Sequence, residues 1–479
     1  MPITSAVKER KVMLKGKSTI QVFDALTGEE KLCVKNKNIV TNAVSRLLNP
    51  PSKWGFAGSY SQLNAAVNYI TPVASKALGG IMLWESTIAE NANNMLPPTD
   101  NFMVGHAGVA YSGTKASRGS YNASESGAIS GGYRHVWDFG TDRANGTINC
   151  LTLTSVDGGN TGIYPSTDGN GVFIFPSQLG NGTVVSSPRI YPAGLMLPNL
   201  ITDINLSKCA GRLSGDRYMI CTKVSGVYTM YIIKAPSGTA LSLTTDFSGK
   251  TSANSVVASY QLSGYPLTFS VLDDSTFVYI YSYNASQVIL KKCSVADGTL
   301  IDTITLSLSG SEYSFSMNNV DTSKSGSQIV FYNNSWYIGD YFYVFRFSPT
   351  GTFMNAISTT LCGYWHNLSV FNDTLFATQP TSSSSGSNSM VIAKDNTITP
   401  FKMRMDGAYP KFPIFDACPH YPYVLCTSLD NDGTNVTSAV GPLDMMIHST
   451  YLGTINNLTA SITKTATQTM KITYELYDE

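Results

Sequence analysis

The sequence predicts a mainly β protein. Its N- and C-terminal segments form one β-rich anchoring domain, and a β-propeller-like middle domain is inserted between them. Three observations predict this. Only 13% of the 479 residues are charged while 43% are hydrophobic, so Ser, Thr, Asn and Gly supply the polarity that turn-rich β proteins use. Short alternating apolar runs recur through the middle of the chain. The chain then ends in "TMKITYELYD", where Met470, Ile472, Tyr474 and Leu476 alternate with polar residues, the period of a half-buried strand.

Taken in order, the first element is a hairpin. "STIQVFDALTGEEKLCVK" has two alternating runs flanking Leu26-Thr27-Gly28-Glu29, with Gly28 where a positive φ is needed. In "NKNIVTNAVSRLLNPP", Thr41 or Asn42 can cap a short helix near residues 41–49, which Pro50-Pro51 ends. A second short helix is expected around "YSQLNAAVNYI", and "LGGIMLWES" reads as a buried strand. Residues 86–135, rich in Asn, Pro, Gly and Ser, read as a long irregular excursion. "YRHVWDFGTDRANGTINCLTLTS" then gives two strands around a turn-rich connection, closing an N-terminal region of residues 1–150.

Residues 151–445 form the middle domain. "GDRYMICTKVSGVYTMYIIKAPSGTAL", "DSTFVYIYSYNASQVILKKCSVADGTLIDTI" and "NNSWYIGDYFYVFRFSPTGTFMNAI" share an order: strand, turn, strand, basic residue, small turn. "FNDTLFATQPTSSSSGSNSMVIAKDNTITPF" is a weaker copy. The basic residues Lys234, Lys292, Arg346 and Lys394 recur at about 50–60 residues, the period of propeller blades. Residues 155–210 and 410–445 supply one or two further blades. A β-sandwich or a β-solenoid is the alternative architecture for this middle. Residues 446–479 return to the anchoring domain as two strands, "MMIHSTYLGTIN" and "TMKITYELYD", joined by "NLTASITKTATQ".

Composition also narrows the function classes. Lys plus Arg equals Asp plus Glu at 32 each, so the basic excess of a nucleic-acid binder is missing. No run of about 18 apolar residues suggests a membrane-spanning helix, and the first residues lack the apolar core of a secretion signal. The eight cysteines are scattered without a CxxC pair and read as free, mostly buried thiols.

The sequence motifs do not point to catalysis. The five histidines show no metal-binding spacing, and there is no GxSxG or GxxxxGK[ST] motif. His135 beside Asp138 could be imagined as an oriented base, but a strand histidine packed on Trp137 explains it. Asp273-Asp274 could serve as a glycosidase carboxylate pair, although "VLDDSTF" also reads as a turn. Asp430, Asp432 and Asn435 alternate around a glycine as calcium ligands do, without the closing bidentate glutamate. No metal and no cofactor is therefore expected. The aromatic runs "SWYIGDYFYVFRF" and "FVYIYSY" offer Trp336, Tyr341, Tyr343 and Tyr281 as candidate glycan or surface contacts, though alternate members must be core.

Four motifs carry a resemblance: the hairpin with its "TG" turn, Lys37 to Ala43, Trp137 to Ile148 in "WDFGTDRANGTI", and Tyr451 to Tyr474. Together they resemble virion structural proteins of tailed bacteriophages, and of prophages in Gram-positive gut bacteria, of the tail, tail-tip or fibre type. The likeness covers roughly residues 18–50, 131–160 and 450–479 and not the middle. It implies a non-enzymatic protein assembled in the host cytoplasm into a virion. Its implied partners are other virion proteins, further copies of itself, and a host-surface glycan. Nucleic acid and membrane insertion are not expected. A head, neck or connector component without host contact is one alternative, and a glycan-degrading virion enzyme is another.

Overall fold

A computed structural model describes residues 14–44, 78–108, 115–156, 173–174, 209–214, 217–224, 226–234, 256–316, 328–340, 342–358, 367–379, 387–403, 421–426, 444–448 and 450–478. The first strands are β1 (Leu14–Asp24), β2 (Glu30–Val40), β3 (Gly80–Trp84), β4 (Met103–Ala107), β5 (Ser120–Tyr121), β6 (Gly127–Ile129), β7 (Gly132–Phe139) and β8 (Gly146–Thr154). The two-residue β9 (Phe173–Ile174) follows. Sixteen strands then come in four sets: β10 (Cys209–Leu213), β11 (Arg217–Val224), β12 (Val227–Lys234) and β13 (Val256–Leu262); β14 (Tyr265–Val271), β15 (Thr276–Tyr283), β16 (Gln287–Ser294) and β17 (Leu300–Ser307); β18 (Ile329–Tyr332), β19 (Ser335–Gly339), β20 (Tyr343–Phe347) and β21 (Phe353–Ser358); β22 (Asn367–Phe371), β23 (Thr374–Gln379), β24 (Ser387–Ile392) and β25 (Ile398–Met403). The last are β26 (Tyr423–Cys426), β27 (Asp444–His448), β28 (Thr454–Lys464) and β29 (Gln468–Asp478).

The two ends of the chain share one ten-stranded sheet, in the order β4-β3-β8-β28-β2-β1-β29-β7-β5 with β6 also on β7. The closing strand β29 is inserted between β1 and β7, pairing Ile472 with both Ile20 and Trp137. Its alternation is explained by that position: Met470, Ile472, Tyr474 and Leu476 join Ile20, Val22, Trp137, Phe139 and Ile148 in one core. The sheet nearly closes into a barrel. His106 of edge strand β4 bridges to Arg118, just ahead of β5 at the other edge, with hydrogen bonds from His106 N to Ser117 O (2.9 Å) and from Gly119 N to His106 O (2.8 Å). That near-closure covers part of the edges on which a sheet would otherwise pair with other chains.

The four motifs of the sequence interlock within this barrel. Thr41 donates through its hydroxyl to Leu452 O (2.5 Å) and through its backbone to Gly453 O (3.0 Å). Asn457 both accepts from Ile88 N (2.9 Å) and donates to Ile88 O (2.8 Å). Lys464, almost fully buried, donates to Asn145 Oδ1 (2.8 Å) in the turn after β7. Asp24 Oδ1 accepts from Leu26 N and Thr27 N, both at 3.0 Å, and shapes the first hairpin turn around Gly28 (φ 71°).

The middle of the chain is propeller-like. Each set of four strands from β10 to β25 is an antiparallel meander. The first strands of successive sheets, β10, β14, β18 and β22, touch one another, as the inner strands of blades do. Alternate residues of each blade face opposite neighbours. Phe277 and Tyr279 pack on the first blade, while Val278 and Ile280 pack on the third. Trp336 and Ile338 face the second blade, and Tyr337 faces the fourth. The basic residues seen as a repeat all fall within two residues of the end of a third strand, Lys292 and Arg346 just inside it, Lys234 at it and Lys394 just beyond. A further sheet, β26-β27-β9, joins chain from both flanks: β9, ahead of the first blade, pairs with β27 through Ile174 and Ile447. Residues 155–210 and 410–445 thus contribute to one shared blade among the described residues.

Several expectations are corrected. Residues 86–135 are not wholly irregular, since β4 and the short β5 and β6 belong to the barrel. "NLTASITK" is a continuation of strand β28 rather than a connection. β27 belongs to a blade, so the return to the barrel begins after His448 rather than at residue 446. The short helix is described only at Asn42–Val44, where Thr41 Oγ1 accepts from Ala43 N (3.3 Å); its remainder, and the second helix, lie outside the described residues. Cys150, Cys221 and Cys293 are buried, as expected of most of the thiols, but Cys33 is exposed.

Candidate functional site

The aromatic residues singled out in the sequence separate into different environments. Trp336 is core: only 3% exposed, it packs between the second and third blades and donates from Nε1 to Pro349 O (3.1 Å). Tyr281 is half-buried on the side of the second blade that faces the first, with the Lys291 ammonium 3.6 Å from its ring centre. Tyr343 is half-buried and meets Tyr313 edge to face, with ring centres 5.2 Å apart. Tyr341, and the calcium-like Asp430, Asp432 and Asn435, lie outside the described residues.

The carboxylates at 273 and 274 are committed to turns. Asp273 accepts from Ser275 Oγ (2.7 Å), Ser275 N (2.8 Å), Thr276 N (2.7 Å) and Thr276 Oγ1 (2.9 Å). These bonds, led by the Ser275 hydroxyl, pull its carboxyl down to about 2. Asp274 is also lowered, chiefly by Ser214 of the first blade, whose backbone N–H lies 2.6 Å away. A glycosidase pair needs one carboxyl raised to serve as the acid, and here both are lowered. His135 stacks on Trp137 (5.6 Å) and burial pushes its imidazole down to about 4. Asp138 instead accepts from Asn122 (2.8 Å), so no His–Asp pair forms.

A different set of residues forms a groove of about 850 Å³ between the second and third blades. Thr305 and Ser307 of β17 line one wall. The loop Ser309–Tyr313 covers one end, and Thr350–Phe353, the turn entering β21, forms the other wall. The two walls are stitched together: Ser307 N donates to Gly351 O (3.1 Å), and Ser307 and Thr352 form a parallel bridge. Gly351 has φ 92°, and a Cβ there would lie 2.0 Å from Thr305 O. Only glycine permits this approach. Tyr313 is held by Tyr343, by Phe345 (6.0 Å) and by Phe353 (5.7 Å), so its position is fixed in advance of any ligand. Burial and then the neighbouring Glu312 carboxylate raise the Tyr313 phenol.

Sequence reading missed this groove because its walls come from separate repeats and consist mainly of Ser, Thr and Gly. A second groove, of about 610 Å³, lies near the barrel closure. Its carboxylates are already engaged, Asp138 by Asn122 and Asp142 by Arg143 (3.1 Å).

No protein-family model matches the chain, and no curated protein matches it. Among solved structures, a protein of unknown function from Bacteroides caccae is 8% identical, covering 50% of this chain and 86% of that one, at a TM-score of 0.31. A quinonprotein alcohol dehydrogenase-like protein from Bacteroides thetaiotaomicron is 8% identical over 76% of this chain and 77% of that one, at 0.27. AztD from Citrobacter koseri is 9% identical over 81% and 97%, at 0.23. Likenesses this distant transfer no activity to the chain.

Proposed function

We propose that this chain is a bacteriophage virion structural protein of the tail or tail tip. Its barrel anchors it to other virion proteins, and its propeller is displayed towards the host surface. The observation that carries this reading is the placement of the four virion-type motifs. All four lie on the barrel and bond to one another, as in Thr41 to Leu452 and Lys464 to Asn145. The blades between them share none of these motifs. A mount built from the two chain ends and a displayed domain between them is the division of labour such a protein needs. The reading assigns contact rather than catalysis, with a homo-oligomer as the assembled form.

Immunogold labelling of intact particles with antibodies raised against the propeller tests this directly. Label confined to the tail or its tip is the expected result. Label on the head or neck, or particles that carry none, overturns it.

A further inference from the structure

We propose that the groove between the second and third blades binds a neutral oligosaccharide. In this site Tyr313 and Phe353 meet the apolar face of a sugar ring, and Thr305, Ser307 and Glu312 meet its hydroxyls. The inference rests on the reading of the propeller as the displayed domain and gives that domain a ligand class.

Charge is the first discriminator. Glu312 is the one carboxylate among the lining residues, and no lysine, arginine or histidine lines the groove. A phosphate, a nucleic acid or an acidic sugar would bring negative charge towards the Glu312 carboxylate, with no basic side chain in the lining to offset it. A neutral ligand meets no such repulsion, and a carboxylate is a strong acceptor for sugar hydroxyls.

The wall chemistry is the second. Serine and threonine hydroxyls both donate and accept, and they recur on both walls. A purely apolar ligand would cover these groups without replacing their bonds to water, at a cost. A ligand that itself carries many two-way hydroxyls satisfies them.

Preorganisation is the third. Tyr313 is half-buried among three aromatic rings, and Phe353 lies beside it at 5.7 Å. An aromatic surface fixed before binding loses little entropy when a sugar face packs on it. The stitch from Ser307 to Gly351 fixes the spacing of the walls in the same way. The volume, about 850 Å³, is within the range of ligand sites, roughly 300–1,000 Å³.

Calorimetric titration of the full chain tests the site. The probes are cellohexaose, chitohexaose, mannohexaose and galactohexaose, with hexagalacturonate as the anionic counterpart. At least one neutral probe is expected to bind with a dissociation constant of roughly millimolar or tighter, and hexagalacturonate is not. Tyr313→Leu should weaken binding about tenfold. Thr305→Lys, at an exposed strand position, fills the groove without touching the core and should abolish binding at an unchanged melting temperature. Failure of all four neutral probes, equal or stronger binding of hexagalacturonate, or neutral binding unchanged in both variants overturns the proposal. Tail label on particles together with no sugar binding removes this site alone. Sugar binding without tail label removes the virion reading and keeps the site.

Discussion

The Thr41 hydroxyl donates to the Leu452 carbonyl at 2.5 Å, joining residues 411 positions apart in the chain. Both groups are buried. Thr41→Val keeps the shape, removes the donor and leaves a buried carbonyl with one bond fewer. An unmade buried bond costs about 1–3 kcal/mol. Urea unfolding should show the barrel transition at a lower midpoint with an unchanged slope. A midpoint equal to that of the parent protein would show that this clasp contributes nothing to stability.

Lys464 is set apart from the other described lysines by its burial. Burial lowers its ammonium from 10.5 to about 8, against a weaker opposing pull from Asp142. The folded value lies below the unfolded one, so the unfolded chain holds the proton more tightly between those pH values. Stability therefore rises as pH climbs from about 8 towards 10.5, and the gain is lost as pH falls back through 8. Lys464→Met removes this dependence. Unfolding free energies of the two proteins at pH 8 and pH 10 should diverge in favour of the parent at the higher pH.

Acid should act through His135 and His448, two of the three described histidines that are buried. His135 is lowered to about 4 and His448 to about 3, both by burial. His448 is enclosed by Tyr421, whose hydroxyl lies 2.6 Å from Nδ1, and by Thr450, 3.1 Å from Nε2. Both folded values lie below the ordinary 6.5, so the stability due to neutral imidazoles is complete above that pH. It is lost as pH falls towards 4 and 3. Each histidine contributes a slope of about 1.4 kcal/mol per pH unit in that window. His135→Phe keeps the stack on Trp137 and should remove one of the two slopes between pH 6.5 and 5, measured by urea unfolding.

Gly351→Ala tests the stitch between blades. The new methyl group would meet Thr305 O at 2.0 Å, in a backbone conformation that side chains rarely adopt. The turn must move away, breaking the Ser307 N to Gly351 O bond. Destabilisation of about 1–3 kcal/mol is expected, with faster amide exchange at Ser307. Gly310→Ala, also at positive φ but with open space around its Cβ position, gives the comparison for backbone strain alone.

The closing strand was legible because its alternation is strict and one face is wholly buried. The blades were legible for the same reason: the third-strand basic residues mark a repeat that backbone geometry imposes. Strand β28 was harder to see. In "NLTASITK" the residues Thr459 to Ser461 are all exposed, so the apolar period is interrupted between Leu458 and Ile462. β4 was hidden in polar surroundings because it has only five residues. The "DMMIH" strand looked terminal because one of its two partners, β9, lies some 270 residues earlier, a pairing no local pattern reveals. Trp336 attracted attention as an aromatic, yet strand alternation between two blades makes it core.

Leu153 N donates to Thr454 Oγ1 (3.0 Å), and Gly453 N donates to Leu153 O (2.7 Å), so the chain leaves the barrel and re-enters it on neighbouring strands. Entry and exit points one strand spacing apart, about 4.8 Å, are what a short loop would also need. The entropy of joining those ends grows only slowly with the length of what lies between. The barrel therefore works as a socket. A segment of another length between residues 155 and 450 should leave the pairing of β8 with β28 intact.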